Sequence, residues 1–171
     1  AREILREGGC DVKKDSVTVR MDRDLVREQI AYAPSLVKIV PRNKSRAINI
    51  GGNNFVFGQV SSPPNVSDLD NGRRVGNRHD YQNLLKLAQS FNCIHFTGGY
   101  PVEPVDLHPS IGHLDCLYDK LTLTDKVMHG YSLGVERIED AMEMVRIAAG
   151  ISPKEFEQMP RMFTNINSSS P

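Results

Sequence analysis

From residue 78 onward the chain alternates helix-period and strand-like segments, and this alternation limits the possible folds more than any other feature. Tyr81, Leu84, Leu85, Ala88 and Phe91 form one helical stripe behind a candidate cap, Asp80. Residues 93–97 read as a short strand that stops at Gly98-Gly99. Ser110 is placed to cap a helix carrying Ile111, Leu114, Leu117, Tyr118 and Leu121. Residues 126–131 form the next strand, and Val135, Ile138, Ala141, Met142, Val145 and Ala149 mark a helix that Gly150 ends. Ser152-Pro153-Lys154-Glu155 has the form of a capping box that starts a short helix, and residues 161–167 follow as a strand.

An αβαβαβ order predicts a parallel sheet with helical crossovers, so the fold class is α/β. Closed barrels and open doubly wound sheets share that order. No strand is followed by Gly-x-Gly-x-x-Gly and no Gly-x-x-x-x-Gly-Lys-Ser/Thr occurs, which removes the main support for dinucleotide and P-loop folds. The best fit is a partial TIM-type β/α barrel, roughly half of the about 250 residues such a barrel uses. Its strands should end near Thr97, Tyr131 and Asn167, with helices near 80–91, 110–121 and 135–149.

Residues 1–77 form an α+β lead-in to this barrel portion over 78–171. Residues 17–20 alternate like a strand, and Asp22 caps a predicted helix that Pro34 stops. Residues 36–40 and 47–50 are strand candidates joined by a basic, polar turn, and 55–60 is a further apolar run. Asn71-Gly72 between two short extended runs predicts a hairpin in which both turn residues take positive φ. The chain opens on residues that read as the last turns of a helix and closes beside a strand, so it reads as a piece of a longer protein.

Charge excludes some partners. Lys+Arg and Asp+Glu both number 21, which gives the whole chain no pull towards nucleic acid or an anionic membrane. No run approaches the roughly 18–20 apolar residues that span a bilayer. Cys10, Cys93 and Cys116 are odd in number and widely spaced, a poor disulfide framework that suits a reducing, cytoplasmic setting.

His95, His108, His113 and His129, with Cys93 and Cys116, all lie between residues 93 and 129. Zinc would accept such ligands, and a metal-dependent β/α-barrel hydrolase or lyase is the alternative they suggest. No pair has Cys-x-x-Cys or His-Glu-x-x-His spacing, so no metal is expected. Arg73, Arg74, Arg78 and His79 could hold a phosphate, but pairing with Asp68, Asp70 and Asp80 accounts for them more simply. Glu136, Glu139, Asp140 and Glu143 read as the wet face of a helix.

In β/α barrels the active site is assembled at the C-terminal ends of the strands. Those positions hold Thr97 and Tyr100, His129 and Tyr131, and Asn165 and Asn167, which are the candidate substrate-binding residues. Tyrosines beside glycines could wall a cavity for an amine cation, and asparagines could fix a carboxylate or the backbone. The competing reading is that these side chains plug the barrel. No residue carries a catalytic motif.

One family resembles this chain over nearly its whole length. Gly58-Gln59-Val60, Pro63-Pro64-Asn65-Val66, Asp70-Asn71-Gly72-Arg73-Arg74, Asp80 and the strand near Asn92 are similar to segments of the trimethylamine:corrinoid methyltransferases and their quaternary-amine relatives. Val102-Glu103-Pro104-Val105-Asp106, Asp125-Lys126 and the closing Asn167-Ser168-Ser169-Ser170-Pro171 are similar to later segments. The resemblance implies a β/α barrel that moves a methyl group from trimethylamine, or a quaternary amine such as glycine betaine, to the Co(I) of a corrinoid of the methylcobalamin type. It further implies that a separate protein carries the corrinoid, and that copies of the chain associate. Pyrrolysine, where such enzymes have it, falls later in the family's sequences than the position of Pro171. A non-catalytic amine-binding piece is the remaining alternative.

Overall fold

The computed structural model describes residues 1–131 and 133–166. The chain divides into two compact units, Ala1–Leu36 and Val37–Pro171.

The first unit holds α1 (Arg2–Glu7), the antiparallel pair β1 (Asp11–Val12) and β2 (Val19–Arg20), and α2 (Arg23–Ala31). Asp22 caps α2 as its sequence position predicts, accepting from the backbone N–H of Asp24 at 2.8 Å. The Arg2 guanidinium ties α1 to the carbonyl of Lys14 at 3.1 Å.

The second unit begins with β3 (Leu36–Ile39), a 3₁₀ turn (Lys44–Arg46) and β4 (Ile48–Gly51), with β3 and β4 paired. The hairpin of β5 (Asn65–Asp68) and β6 (Gly72–Val75) follows, with Asp68 opposite Gly72. Its turn differs from the two-residue form predicted. Leu69, Asp70 and Asn71 make a three-residue loop, and Gly72 alone takes the left-handed conformation, at φ 64°. The Asp68 carboxylate drives this by accepting from the backbone N–H groups of Asp70 and Asn71, which organises the loop one residue earlier.

Next come α3 (Arg78–Ser90), β7 (Phe96–Thr97), α4 (Gly112–Leu123), β8 (Val127–His129), α5 (Val135–Ala149), α6 (Pro153–Gln158) and β9 (Met162–Phe163). Strands β7, β8 and β9 lie in that order and are parallel. Residues 57–59 extend the parallel arrangement on the far side of β7, with Gly58 bridging Phe96 and the Gln59 N–H donating to the Phe96 carbonyl at 3.2 Å. Among the described residues the sheet is open.

Register sorts the strand side chains onto two faces. Phe96, Val127, His129 and Phe163 share one; Thr97, Met128 and Met162 share the other. The first face packs with Ile39 and Ile48 of β3 and β4, so the early strands cover the inside of the sheet. The second packs against Leu117 of α4 and Ala141 and Val145 of α5. Both faces are therefore buried, as expected of parallel strands.

The helix boundaries follow their caps. Asn77 and Asp80 form a capping box at the start of α3, one turn earlier than Asp80 alone predicts. Ser152 and Glu155 form the expected box at α6. Ser110 does not cap α4, which begins after Ile111 with no side-chain cap. The buried face of α4 also departs from the predicted stripe. Ile111, Leu114 and Tyr118 are exposed, whereas Cys116, Leu117, Asp119 and Lys120 are buried. Among the described residues no helix is long and apolar enough to cross a membrane.

Candidate functional site

After β7 the chain turns at Gly98-Gly99-Tyr100, and residues 59–62 run against that turn. Contact is close enough that a Cβ on Gly98 would sit 2.3 Å from the Gln59 carbonyl oxygen, so only glycine permits it. Ser61 Oγ accepts from the Gly99 N–H at 2.7 Å, and the Ser62 N–H donates to the Tyr100 carbonyl. Ser62 holds φ at 59°, the left-handed region that costs a residue with a side chain about 1 kcal/mol or more. Its hydroxyl donates to Tyr131 Oη at 3.2 Å. This strained segment thus anchors both tyrosine-bearing turns.

A cleft of about 650 Å³ opens beside it, lined in part by Ser61, Ser62, His129, Tyr131, Thr164 and Asn165. Every one of these residues follows the C-terminal end of a parallel segment or closes it. Val135 and Ile138 from the start of α5 supply an apolar wall, and among the described residues no lining residue carries a full charge at neutral pH. The Thr164 hydroxyl donates to the Gly130 carbonyl at 2.9 Å and fixes the chain after β9 against the end of β8.

His129 is 8% exposed, and among the described residues neither of its ring nitrogens has a hydrogen-bond partner. Burial, followed by the charge of Lys120, lowers its pKa to about 4. The ring is therefore neutral at neutral pH, with one N–H donor and one acceptor nitrogen available to a ligand. Tyr131 stacks flat on Tyr100, with ring centroids 4.5 Å apart and 8° between planes. Tyr81 meets the far part of Tyr100 edge-on at 5.8 Å.

Of the predicted site residues, the fold brings His129, Tyr131 and Asn165 to this cleft. Tyr100 lies behind Tyr131, buried in a cluster with Tyr81, Leu85, Val102 and Cys116. Thr97 is completely buried on the helix-facing side of the sheet, in register with Met128, and its hydroxyl has no partner among the described residues. A one-residue offset along a strand reverses the face, which separates Thr97 from the others. Asn167 lies outside the described residues.

Two features escape sequence reasoning. Ser61-Ser62 reads only as the polar start of a proline break. Lys120 is 2% exposed and makes no ion pair among the described residues, yet it donates to the carbonyls of Gly98 at 2.8 Å and His129 at 3.0 Å. Desolvation lowers its pKa to about 7, with Cys116 opposing the shift. A signal for its burial was present, since position 120 lies four residues after Cys116 and three after Leu117.

The histidines and cysteines of the metal reading are engaged separately. His95 Nδ1 accepts from the Phe57 N–H at 3.0 Å, His108 Nδ1 accepts from the Ser110 N–H at 3.3 Å, and His113 Nε2 meets Asp140 at 2.7 Å. Burial pushes the Cys116 thiol up to about 12, away from the thiolate that zinc binds. Among the described residues no group of three or more His, Cys, Asp or Glu is arranged to hold a metal ion. The basic cluster is also partly committed. Arg74 pairs with Asp68 at 2.9 Å and with Asp80, while Arg78 pairs with Asp115 and Asp119, each at 2.9 Å.

A family model described as trimethylamine methyltransferase (MTTB) matches residues 1–171. The chain belongs to the trimethylamine methyltransferase family. It is 32% identical over 171 residues to a glycine betaine methyltransferase of Desulfitobacterium hafniense (strain Y51), covering all of this chain and 35% of that protein. It is 26% identical over 176 residues to the trimethylamine methyltransferase MttB of Desulfitobacterium hafniense (strain DSM 10664 / DCB-2), covering 34% of that protein. The chain thus spans about a third of the length of these curated relatives. Within this family segment, the cleft at the ends of β8 and β9 is where His129, Tyr131 and Asn165 meet.

Proposed function

We propose that this chain supplies early β/α units of a barrel methyltransferase that takes a methyl group from a methylated amine, with the cleft forming part of the amine site. The observation that carries this reading is the buried imidazole of His129, unpartnered among the described residues, beside the ring of Tyr131 at the strand ends. Family membership and two methyltransferase relatives support the reaction class. Parallel β7–β9 with helical crossovers, and residues 57–59 continuing the sheet, support the barrel.

A quaternary amine bearing a carboxylate is the preferred substrate, ahead of trimethylamine. Tyr131 offers an aromatic surface for the N-methyl cation, an attraction worth up to about 2 kcal/mol when desolvated. Neutral His129 has an N–H for a carboxylate, and the uncapped start of α5 adds the favourable end of a helix dipole. The higher identity to the glycine betaine enzyme, 32% against 26%, points the same way.

The reduced corrinoid of a separate protein supplies the nucleophile in this reading. The chain's own residues bind the cation, orient one methyl towards the opening and exclude water. The broken C–N bond leaves its electron pair on nitrogen, so a quaternary substrate departs as a neutral tertiary amine. The new bond to the methyl uses the acceptor's pair.

The test uses the full-length protein, a reduced corrinoid protein, and glycine betaine or trimethylamine. Methylation of the corrinoid protein by glycine betaine is expected, and Tyr131→Ala should weaken betaine binding about 5- to 30-fold, equivalent to ~1–2 kcal/mol. Absence of both transfer and binding with either amine would overturn the reading.

A further inference from the structure

Lys120 lies deep behind the cleft wall, on α4, yet its bonds go to the ends of two different strands. Its ammonium donates to the Gly98 carbonyl just after β7 and to the His129 carbonyl that closes β8. It also lies 5.9 Å from the Tyr100 ring centroid. A void of about 10 Å³, room for one water at most, is bounded by Lys120, Tyr100, Tyr131 and Leu117. A buried ammonium without a carboxylate is costly, and apolar packing of similar volume would ordinarily stabilise a helix–sheet contact better.

The two carbonyls begin the turns that carry Tyr100 and Tyr131. Gly98 precedes Tyr100 by two residues, and His129 precedes Tyr131 by two. The one Lys120 amino group bonds both carbonyls, and the two rings stack 4.5 Å apart. The His129 ring belongs to the same clamped residue. We propose that Lys120 is a positioning residue for the cleft, holding the ends of β7 and β8 so that Tyr131 and His129 present a fixed surface to the ligand.

This inference rests on the amine reading for its ligand but not for its geometry, so two measurements separate them. The first follows the ring resonances of Tyr100 and Tyr131 in full-length protein labelled at tyrosine, where stacking shifts them upfield. The second is calorimetric binding of glycine betaine. Lys120→Met should abolish the upfield displacement and weaken binding at least tenfold. Ile48→Ala, a core truncation on β4 outside that void, should keep the displacement and hold affinity within twofold. A Lys120→Met protein that retains the displacement overturns the proposal, as does an equal loss in Ile48→Ala.

If Lys120→Met is insoluble, Lys120→Leu, which fills apolar space without a donor, is read in the same way. Insolubility of both variants also overturns the proposal, because Lys120 would then hold the fold rather than the cleft. If the unmodified protein binds no betaine, the amine reading fails, and the ring displacement alone decides the role of Lys120.

Discussion

His129 combines a position that sequence could find with a state that it could not. The parallel-strand rule places residue 129 at a strand end, but only the packed structure shows both ring nitrogens buried without a partner among the described residues. Burial keeps the native imidazole neutral down to about pH 4, whereas in the unfolded chain it protonates near 6.5. The unfolded state therefore binds more protons between those values, and stability falls as pH drops through that window. His129→Asn should flatten the pH dependence of unfolding between about pH 4 and 6.5, by at most about 3 kcal/mol. Urea denaturation at several pH values measures this, and an unchanged slope would assign the acid sensitivity elsewhere. Thr97 teaches the reverse. It occupies an equally suggestive strand end, yet strand alternation turns it towards the helices.

At the level of elements, α4 shows what hydrophobic periodicity misses. Of the predicted stripe Leu117 is buried and Leu121 packs beside it, while Ile111, Leu114 and Tyr118 are exposed, and Asp119 and Lys120 occupy the interior instead. Asp119 accepts from Arg78 at 2.9 and 3.1 Å and from Gln82 at 3.0 Å, joining α4 to the first turns of α3. Removing the carboxylate takes the acceptor from the Gln82 amide and from one edge of Arg78, which keeps its pair with Asp115, so Asp119→Ala should cost about 2 kcal/mol, below a full buried-pair loss. Thermal unfolding with and without Arg78→Ala in a double-mutant cycle would test it. Strict additivity would refute the coupling. By contrast, α5 matches its predicted span of 135–149, since a glycine at each end and no glycine or proline between them leave little to tertiary choice.

For the whole molecule, the decisive contact is the approach of residues 59–62 to the turn after β7. Gly98→Ala would force a Cβ into the Gln59 carbonyl, so about 2 kcal/mol of overpacking strain is expected, together with a cleft that no longer closes around Ser62 and Tyr131. Denaturant unfolding and betaine titration of the variant should both register it. Native stability with unaltered binding would mean the segment can shift at no cost. The helix–strand alternation, the parallel order implied by crossover helices, and the caps at Asp22 and Ser152 were legible because each depends on neighbours within a few residues. The family was legible because its segments recur in order along the chain. What the tertiary structure alone decided is which side of each element is buried, which glycine admits a neighbouring strand, and that a lysine of α4 clamps two strand ends. Those outcomes depend on residues far apart in the chain, where Lys120 meets Gly98 and Ser62 meets Tyr131, and no local pattern encodes the distance between them.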